Sequence, residues 1–334
     1  MPKIKRVLDS SVMQSSIFAI ILSSELSFYL LIIQTGIVDY FHSDLFKLYF
    51  LPLGGVVGSL ILFGYLFSFA KYSGHIIRVL LFFQTMLSIF YPFYGSAELF
   101  LLGTASGLLA PMLVERARYF SIYTIGVALA FSYTIGTILI NIPSTQRDTL
   151  AISLSLIAFI SSFGLIKNPT KVFVGEILYY RHIVCFVGWV ILDTSLFETL
   201  SRDSLMSIWR QGYTIEIVVF HILGVFFAIL LKNKRVKNWT VLFLFFASYL
   251  SYLFKIQILL AAFYPFVISF YNVIIFENLI LVRSWYKIGF LMFLIGWIAS
   301  GIGLVIAINH NMISSYLLLL LLILSKYFSK EINV

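Results

Sequence analysis

The sequence predicts an all-α integral membrane protein with twelve transmembrane helices arranged as two six-helix pseudo-repeats. Three observations lead there. The mean hydropathy is +1.01, with 61% hydrophobic and only 11% charged residues, whereas soluble domains carry about 25% charged residues; 334 residues cannot bury that much apolar surface in a soluble core. Apolar runs of membrane-spanning length fill the chain. The lysines and arginines between those runs fall almost wholly on alternate sides.

The runs read in order as 12–38, 48–70, 76–94, 97–114, 119–141 and 149–166, then 178–200, 213–231, 239–260, 262–282, 287–309 and 312–328. Each is close to the ~20 residues with which an α-helix crosses about 30 Å of hydrocarbon. A membrane β-barrel needs strands of alternating polarity, and a run such as Leu317 to Leu324 is apolar on every side. The first run follows a short basic stretch, as a signal peptide does. It is longer than a signal sequence and has no small-residue cleavage pattern before Asp39, so it reads as a retained helix.

With the N-terminus inside, the cytoplasmic side receives Lys3, Lys5, Arg6, Lys71, Arg78, Arg116, Arg118, Lys167, Lys171, Arg181, Lys232, Lys234, Arg235, Lys237, Arg283, Lys287, Lys326 and Lys330. That is 18 of the 23 basic residues, leaving Lys47, Arg147, Arg202, Arg210 and Lys255 outside. Short loops follow such a positive-inside bias. One miscounted helix would move every later loop to the other side and erase it. Both termini are therefore expected in the cytoplasm, and the compact loops point to the cytoplasmic membrane of a prokaryote.

The net charge of +9 does not signal nucleic acid, because the basic residues sit at membrane borders where anionic inner-leaflet lipids attract them. Cys185 is the single cysteine, which excludes disulfides and cysteine metal clusters. The seven Met and five His residues are scattered, with no metal-ligand spacing, and no cofactor is implied. There is no phosphate-binding glycine loop with its lysine, no His-Glu-x-x-His pair and no glycine-flanked serine nucleophile. The expectation is a protein that is not an enzyme, with a small-molecule solute and the lipid bilayer as its partners.

A polar stretch from Lys167 to Gly175 divides the chain into bundles at 1–167 and 178–334, joined by a cytoplasmic linker at 168–177. Both halves share a rhythm. An acidic residue lies deep in the opening helix (Glu25, Asp193), and a basic loop follows the second helix (Lys71 to Arg78, Lys232 to Lys237). Basic ends close the fourth helix (Arg116 and Arg118, Arg283) and the sixth (Lys167, Lys326 and Lys330). Corresponding features lie roughly 160 to 168 residues apart, as a parallel internal duplication would place them.

With six plus six helices, both termini inside and basic second-to-third and eighth-to-ninth loops, the chain resembles the major facilitator superfamily. The family's second loop has an aspartate that Gly64-Tyr65-Leu66-Phe67-Ser68-Phe69-Ala70-Lys71-Tyr72-Ser73-Gly74-His75 lacks; the buried arginine of the fourth helix and the glycine-proline pair of the fifth are also missing. The resemblance implies a compact, diverged member whose halves pack through helices two and eleven, and five and eight. Small residues four apart fit such contacts: Gly54 and Gly58, Ala299 and Gly303, Gly224 and Ala228, Gly126 and Ala130.

An ionisable side chain near the bilayer centre costs on the order of 3 kcal/mol or more, so each needs a partner, a wet cavity or a neutral state. Glu25 lies about halfway along the first helix with Tyr29 one turn later, while Ser16, Ser23, Ser27 and Gln34 line another face. Asp193 lies in the corresponding helix of the second half, the seventh, with Trp189, Phe186 and His182 on its side. Both helices face the central cavity in the resembled family, and two carboxyls withdrawn from water suit proton exchange or cation binding. Each reads equally as a carboxyl tied into a structural hydrogen bond. On the eighth helix His221 is either a relay or a satisfied core histidine. On the tenth, Tyr264, Tyr271 and Asn278 recur every seven residues beside Asn272 and Glu277.

The coupling or substrate-binding set is therefore Glu25, Tyr29, Trp189, Asp193, His221, Tyr271 and Asn272. A cytoplasmic gate is expected from Arg78, Glu115, Arg116, Glu277 and Arg283. The reading is a secondary transporter of a small solute, proton- or cation-coupled, working by alternating access. The competing reading is a transport-inactive membrane scaffold or a subunit of a larger membrane complex.

Overall fold

The computed structural model describes residues 11–64, 69–165, 180–282 and 284–328. The linker expected at 168–177 and the gate residue Arg283 lie outside the described residues. Among those described there is no strand, and the helices run in order as follows. α1 is Ser11–Tyr40, α2 Phe50–Gly64, α3 Phe69–Ser88, α4 Ser96–Ala117, α5 Ile122–Leu139 and α6 Asp148–Ser162. α7 is Tyr180–Arg202, α8 Thr214–Leu230, α9 Lys234–Leu253 and α10 Gln257–Leu279. α11 begins as Trp285–Met292, passes through Phe293–Ala299 and ends as Ser300–Ile308; α12 is Met312–Phe328. Six of these helices, α1, α4, α5, α7, α10 and α11, are long and apolar enough to cross a membrane.

Local chemistry sets the ends. Asp44 caps the short turn Leu45–Leu48, Ser121 caps α5, and the Asn233 side chain caps α9 by accepting from the Arg235 and Val236 amides. The tight connections from α9 to α10 and from α11 to α12 turn on left-handed residues, Lys255 and His310, rather than on glycine. In each, an amide just beyond the turn reaches back to a helix carbonyl, Ile256 to Ser251 at 2.8 Å and Asn311 to Ile306 at 3.0 Å.

The chain divides into two compact units, residues 1–177 with 276–293 and residues 178–275 with 294–334. In the first, α1 packs on α5 and α6, α3 on α4 and α6, and α2 on α4, with the opening half of α11 against α2 and α4. In the second, α7 packs on α11 and α12, and α9 on α12. The pairing of first helix with fifth and sixth thus recurs as seventh with eleventh and twelfth.

The closest backbone approach is between α2 and α4. A Cβ added at Gly54 or Gly58 would collide with the carbonyls of Phe100 or Thr104, and one at Gly103 or Gly107 with those of Leu51 or Gly55. Four glycines thus interlock so that the two backbones touch. Pro111 leaves the Gly107 carbonyl without its helical donor, and the Ser59 hydroxyl of α2 supplies one at 3.1 Å. In the second unit Gly224 of α8 meets the Phe266 carbonyl of α10, and Gly303 of α11 meets Ile191 and Thr194 of α7. Of the small residues singled out in the sequence, Gly54, Gly58, Gly224 and Gly303 thus make close backbone contacts within their own units.

A methyl group at these contacts must push two helices apart. Gly54→Ala and Gly107→Ala should each lower unfolding stability in detergent by about 1–3 kcal/mol. Gly301→Ala, where a Cβ meets nothing within 4 Å, should be neutral or slightly stabilising; equal losses at all three positions would contradict the glycine interlock.

Candidate functional site

Glu25 is buried in α1, and its carboxyl is held by one side chain, Gln84 of α3. The Gln84 amide nitrogen donates to both carboxyl oxygens, each at 3.1 Å. Gln84 is itself fully buried, and its amide oxygen has no partner among the described residues. No lysine, arginine or histidine pairs with Glu25 there. Ser27, half a turn on, bonds to Ser132 of α5 at 3.3 Å.

Immediately beyond, α1 widens to a π-helical segment, Tyr29–Ile37, which Tyr29 opens half-buried. Widening leaves carbonyls off register, and side chains meet them. Thr35 donates back to the Leu30 carbonyl at 2.8 Å. Arg147, from the connection between α5 and α6, donates to the Leu31 carbonyl at 2.6 Å and to the Thr35 hydroxyl at 2.7 Å. Its remaining donors reach the Ile142 carbonyl at 2.8 Å and the Ile140 carbonyl at 2.6 Å. Beside it the Tyr91 hydroxyl donates to the Ser144 carbonyl at 2.6 Å, and Ser144 donates to Asp39 at 2.7 Å.

In the second unit Asp193 of α7 is held by two tyrosines of α10. Tyr264 donates to Oδ1 at 2.8 Å and to the Asp193 carbonyl at 3.0 Å, and Tyr271 donates to Oδ2 at 2.6 Å. The seven-residue spacing puts both phenols on one face of α10, two turns apart. Both are buried, whereas Asp193 stays partly exposed among buried neighbours on α7. Rings close around this clamp. Trp189 and Phe245 lie 6.4 and 5.8 Å from the Tyr271 ring, and Trp209 lies 6.4 Å from Tyr264. The buried Trp189 indole nitrogen has no partner among the described residues.

Two other expected residues bond to α10 or lie on it. His221 of α8 is buried and bonds to Ser269 of α10 at 2.7 Å, near the Gly224 contact. Asn272 donates back to the Ile268 carbonyl of its own helix at 2.9 Å.

Of the expected gate, Glu115 and Arg116 are buried at the end of α4. Tyr119 donates to Glu115 at 3.4 Å, and the Arg116 guanidinium lies 5.7 Å from the Tyr119 ring. At adjacent Arg118 burial lowers the guanidinium pKa, against the raising effect of the Glu115 carboxyl and Tyr119. Arg78 closes the end of α6, donating to the Ser162 and Leu165 carbonyls at 3.1 and 3.3 Å, with Phe163 beneath its guanidinium. Glu277 is half-buried. Among the described residues no three His, Cys, Asp or Glu side chains gather as a metal shell.

Sequence reasoning set Tyr264 in a repeat with Tyr271 but tied neither Gln84 nor Tyr264 to a carboxyl. The seven-residue repeat from Tyr264 to Tyr271 was the available signal for the second. Nothing comparable marks Gln84. Arg147, read as a loop residue on the outer side, is buried and joined to α1.

The apolar helices make the chain a multi-pass membrane protein. Its fold is that of the major facilitator superfamily: a crystal structure of the transporter FucP of that superfamily, in the outward conformation, matches it with a TM-score of 0.53 over 93% of this chain and 98% of that one, at 13% identity. No protein-family model matches the sequence, and no curated protein does.

The Glu25 to Gln84 contact yields an energetic prediction. In a double-mutant cycle of Glu25→Leu and Gln84→Leu, unfolding in detergent should show a coupling of about 1–2 kcal/mol. Additive losses would mean that the pair contributes no interaction of its own.

Proposed function

We propose that the chain is a secondary transporter that moves a small solute by alternating access, with twelve spans and both termini on the cytoplasmic side of the cell membrane. The halves 1–167 and 178–334, joined by 168–177, rock about a site near the bilayer midplane. Proton or cation coupling falls to Glu25 and Asp193, with Tyr29, Trp189, His221, Tyr271 and Asn272 contributing to the solute path. Arg78, Glu115, Arg116, Glu277 and Arg283 act at the cytoplasmic gate.

The observation that carries this reading is a matched pair of intramembrane carboxyls. Glu25 and Asp193 each lie within the first helix of their half, and each is held by neutral donors alone among the described residues. A protein that only needs to fold gains little by keeping such groups, since each costs on the order of 3 kcal/mol in the bilayer. A group that must bind and release a proton or a cation has to remain without a permanent counter-charge. The fold likeness to a transporter of the superfamily supports the same reading.

Solid-supported-membrane electrophysiology on proteoliposomes tests it, with a panel of amino acids, polyols, organic acids, metals and organic cations and with electroneutral uptake controls. At least one solute class should give flux in the wild type, reduced to background in folded Glu25→Gln and Asp193→Asn proteins. Silence across the panel and the controls would favour a membrane scaffold; flux that survives both substitutions would remove the carboxyls from the mechanism.

A further inference from the structure

The clamp on Asp193 has a chemistry of its own, and this inference rests on the transporter reading while naming what the transporter takes. We propose that Asp193, Tyr264 and Tyr271, with the rings of Trp189, Phe245 and Trp209 around them, form a binding site for a monovalent organic cation.

Three properties of the site select that class. The first is charge. The carboxylate accepts one phenol on each oxygen, at 2.8 Å from Tyr264 and 2.6 Å from Tyr271, and no basic side chain pairs with it among the described residues. Two neutral donors hold an anion in place without cancelling its charge, so a negative potential persists in a region of low dielectric. An anionic solute is repelled there, and a cationic one gains both the Coulomb attraction and relief of the cost of burying the carboxylate.

The second is access. Tyr264 is 0% exposed, Tyr271 3% and Trp189 1%, yet Asp193 between them remains partly exposed. Of the residues in the clamp, Asp193 is thus the one that keeps exposed surface. The third is the shortage of spare hydrogen-bonding groups. Both phenol hydroxyls are spent on Asp193, and the Trp189 indole nitrogen is shut away from solvent. A polyol needs several free donors and acceptors to replace its water, and this site offers few. A quaternary or alkylated ammonium needs none. It requires a negative charge and aromatic faces, and rings within about 6 Å of a cation supply the second. A small inorganic cation is a poorer fit, because it demands a shell of several oxygens where aromatic rings surround the two phenols.

The test is equilibrium binding of radiolabelled tetraethylammonium and tetraphenylphosphonium to the full-length protein in proteoliposomes, with protein-free liposomes subtracted, alongside flux of the same probes. Saturable binding of at least one probe is expected, displaced by the other organic cation and not by sorbitol, gluconate or sodium. Asp193→Asn should weaken it at least about tenfold, roughly the loss of one charge-assisted contact. Tyr271→Phe, which keeps the ring and the charge, should weaken it less. Thermal unfolding with and without probe accompanies each variant, so that a misfolded protein is recognised, and Tyr271→Phe then carries the test. No saturable binding of either probe, displacement by sorbitol or sodium as effective as by the cations, or unchanged affinity in both folded variants would overturn the assignment. Flux of another solute class without cation binding would leave the transporter reading standing and this one fallen. Binding without flux of any solute would do the reverse.

Discussion

Hydrocarbon offers no water to hydrogen-bond with, and this one constraint governs the molecule. A backbone amide or carbonyl left unpaired there costs several kcal/mol, so the chain is helical through every described span. Each departure from regular helix then brings its own repair. Pro111 orphans the Gly107 carbonyl and Ser59 answers from the neighbouring helix; the wide segment of α1 displaces its carbonyls and Thr35 and Arg147 take them up. The same necessity shapes the carboxyls. Glu25 and Asp193 are each gripped on both oxygens by neutral donors, an arrangement that makes a charge tolerable without neutralising it.

Where the hydrophobic effect cannot drive helix against helix, close packing does. Glycines make it so: those of α2 and α4 interlock over two turns, and Gly224 and Gly303 bring α8 to α10 and α11 to α7. The helices that meet are in matching order in the two units. Backbone contact between α2 and α4 stiffens one side of the first bundle, while Glu25 hangs on a single flexible amide from α3. In the second, Asp193 is held by two bulky rings on one helix. The two carboxyls lie in the opening helices of their halves yet live in different chemistry.

Much of this was legible in the sequence. Continuous apolar runs bounded by basic residues marked the helices, because a span must be apolar all round and its length is set by the bilayer. The places of Glu25 and Asp193 within their helices could be counted along those runs. Their partners did not follow. Gln84 carries no charge and sits in a run that looks like its neighbours, so only the folded arrangement reveals that it faces Glu25. Tyr264 and Tyr271 shared a visible repeat, but a tyrosine stripe in a chain this aromatic has many uses. Gly54 and Gly58 were visible as a pair, though spacing alone names no partner and the glycines of α4 took the role. The burial of Arg147 was hidden for a plainer reason. A basic residue in a short outer loop is ordinarily solvated, and nothing local signals that α1 has carbonyls to offer it.

That arginine also bears on the order in which the bundle is assembled. Its contact to Leu31 joins residues 116 apart in the chain. At a synthesis rate of about 5–20 residues per second, α1 waits on the order of 6 to 20 seconds before the guanidinium exists. During that interval the Leu31 carbonyl has the Thr35 hydroxyl of α1 itself, at 3.2 Å. The docking of Arg147 thus serves as a late clasp that fastens the earliest helix to the last pair of its bundle.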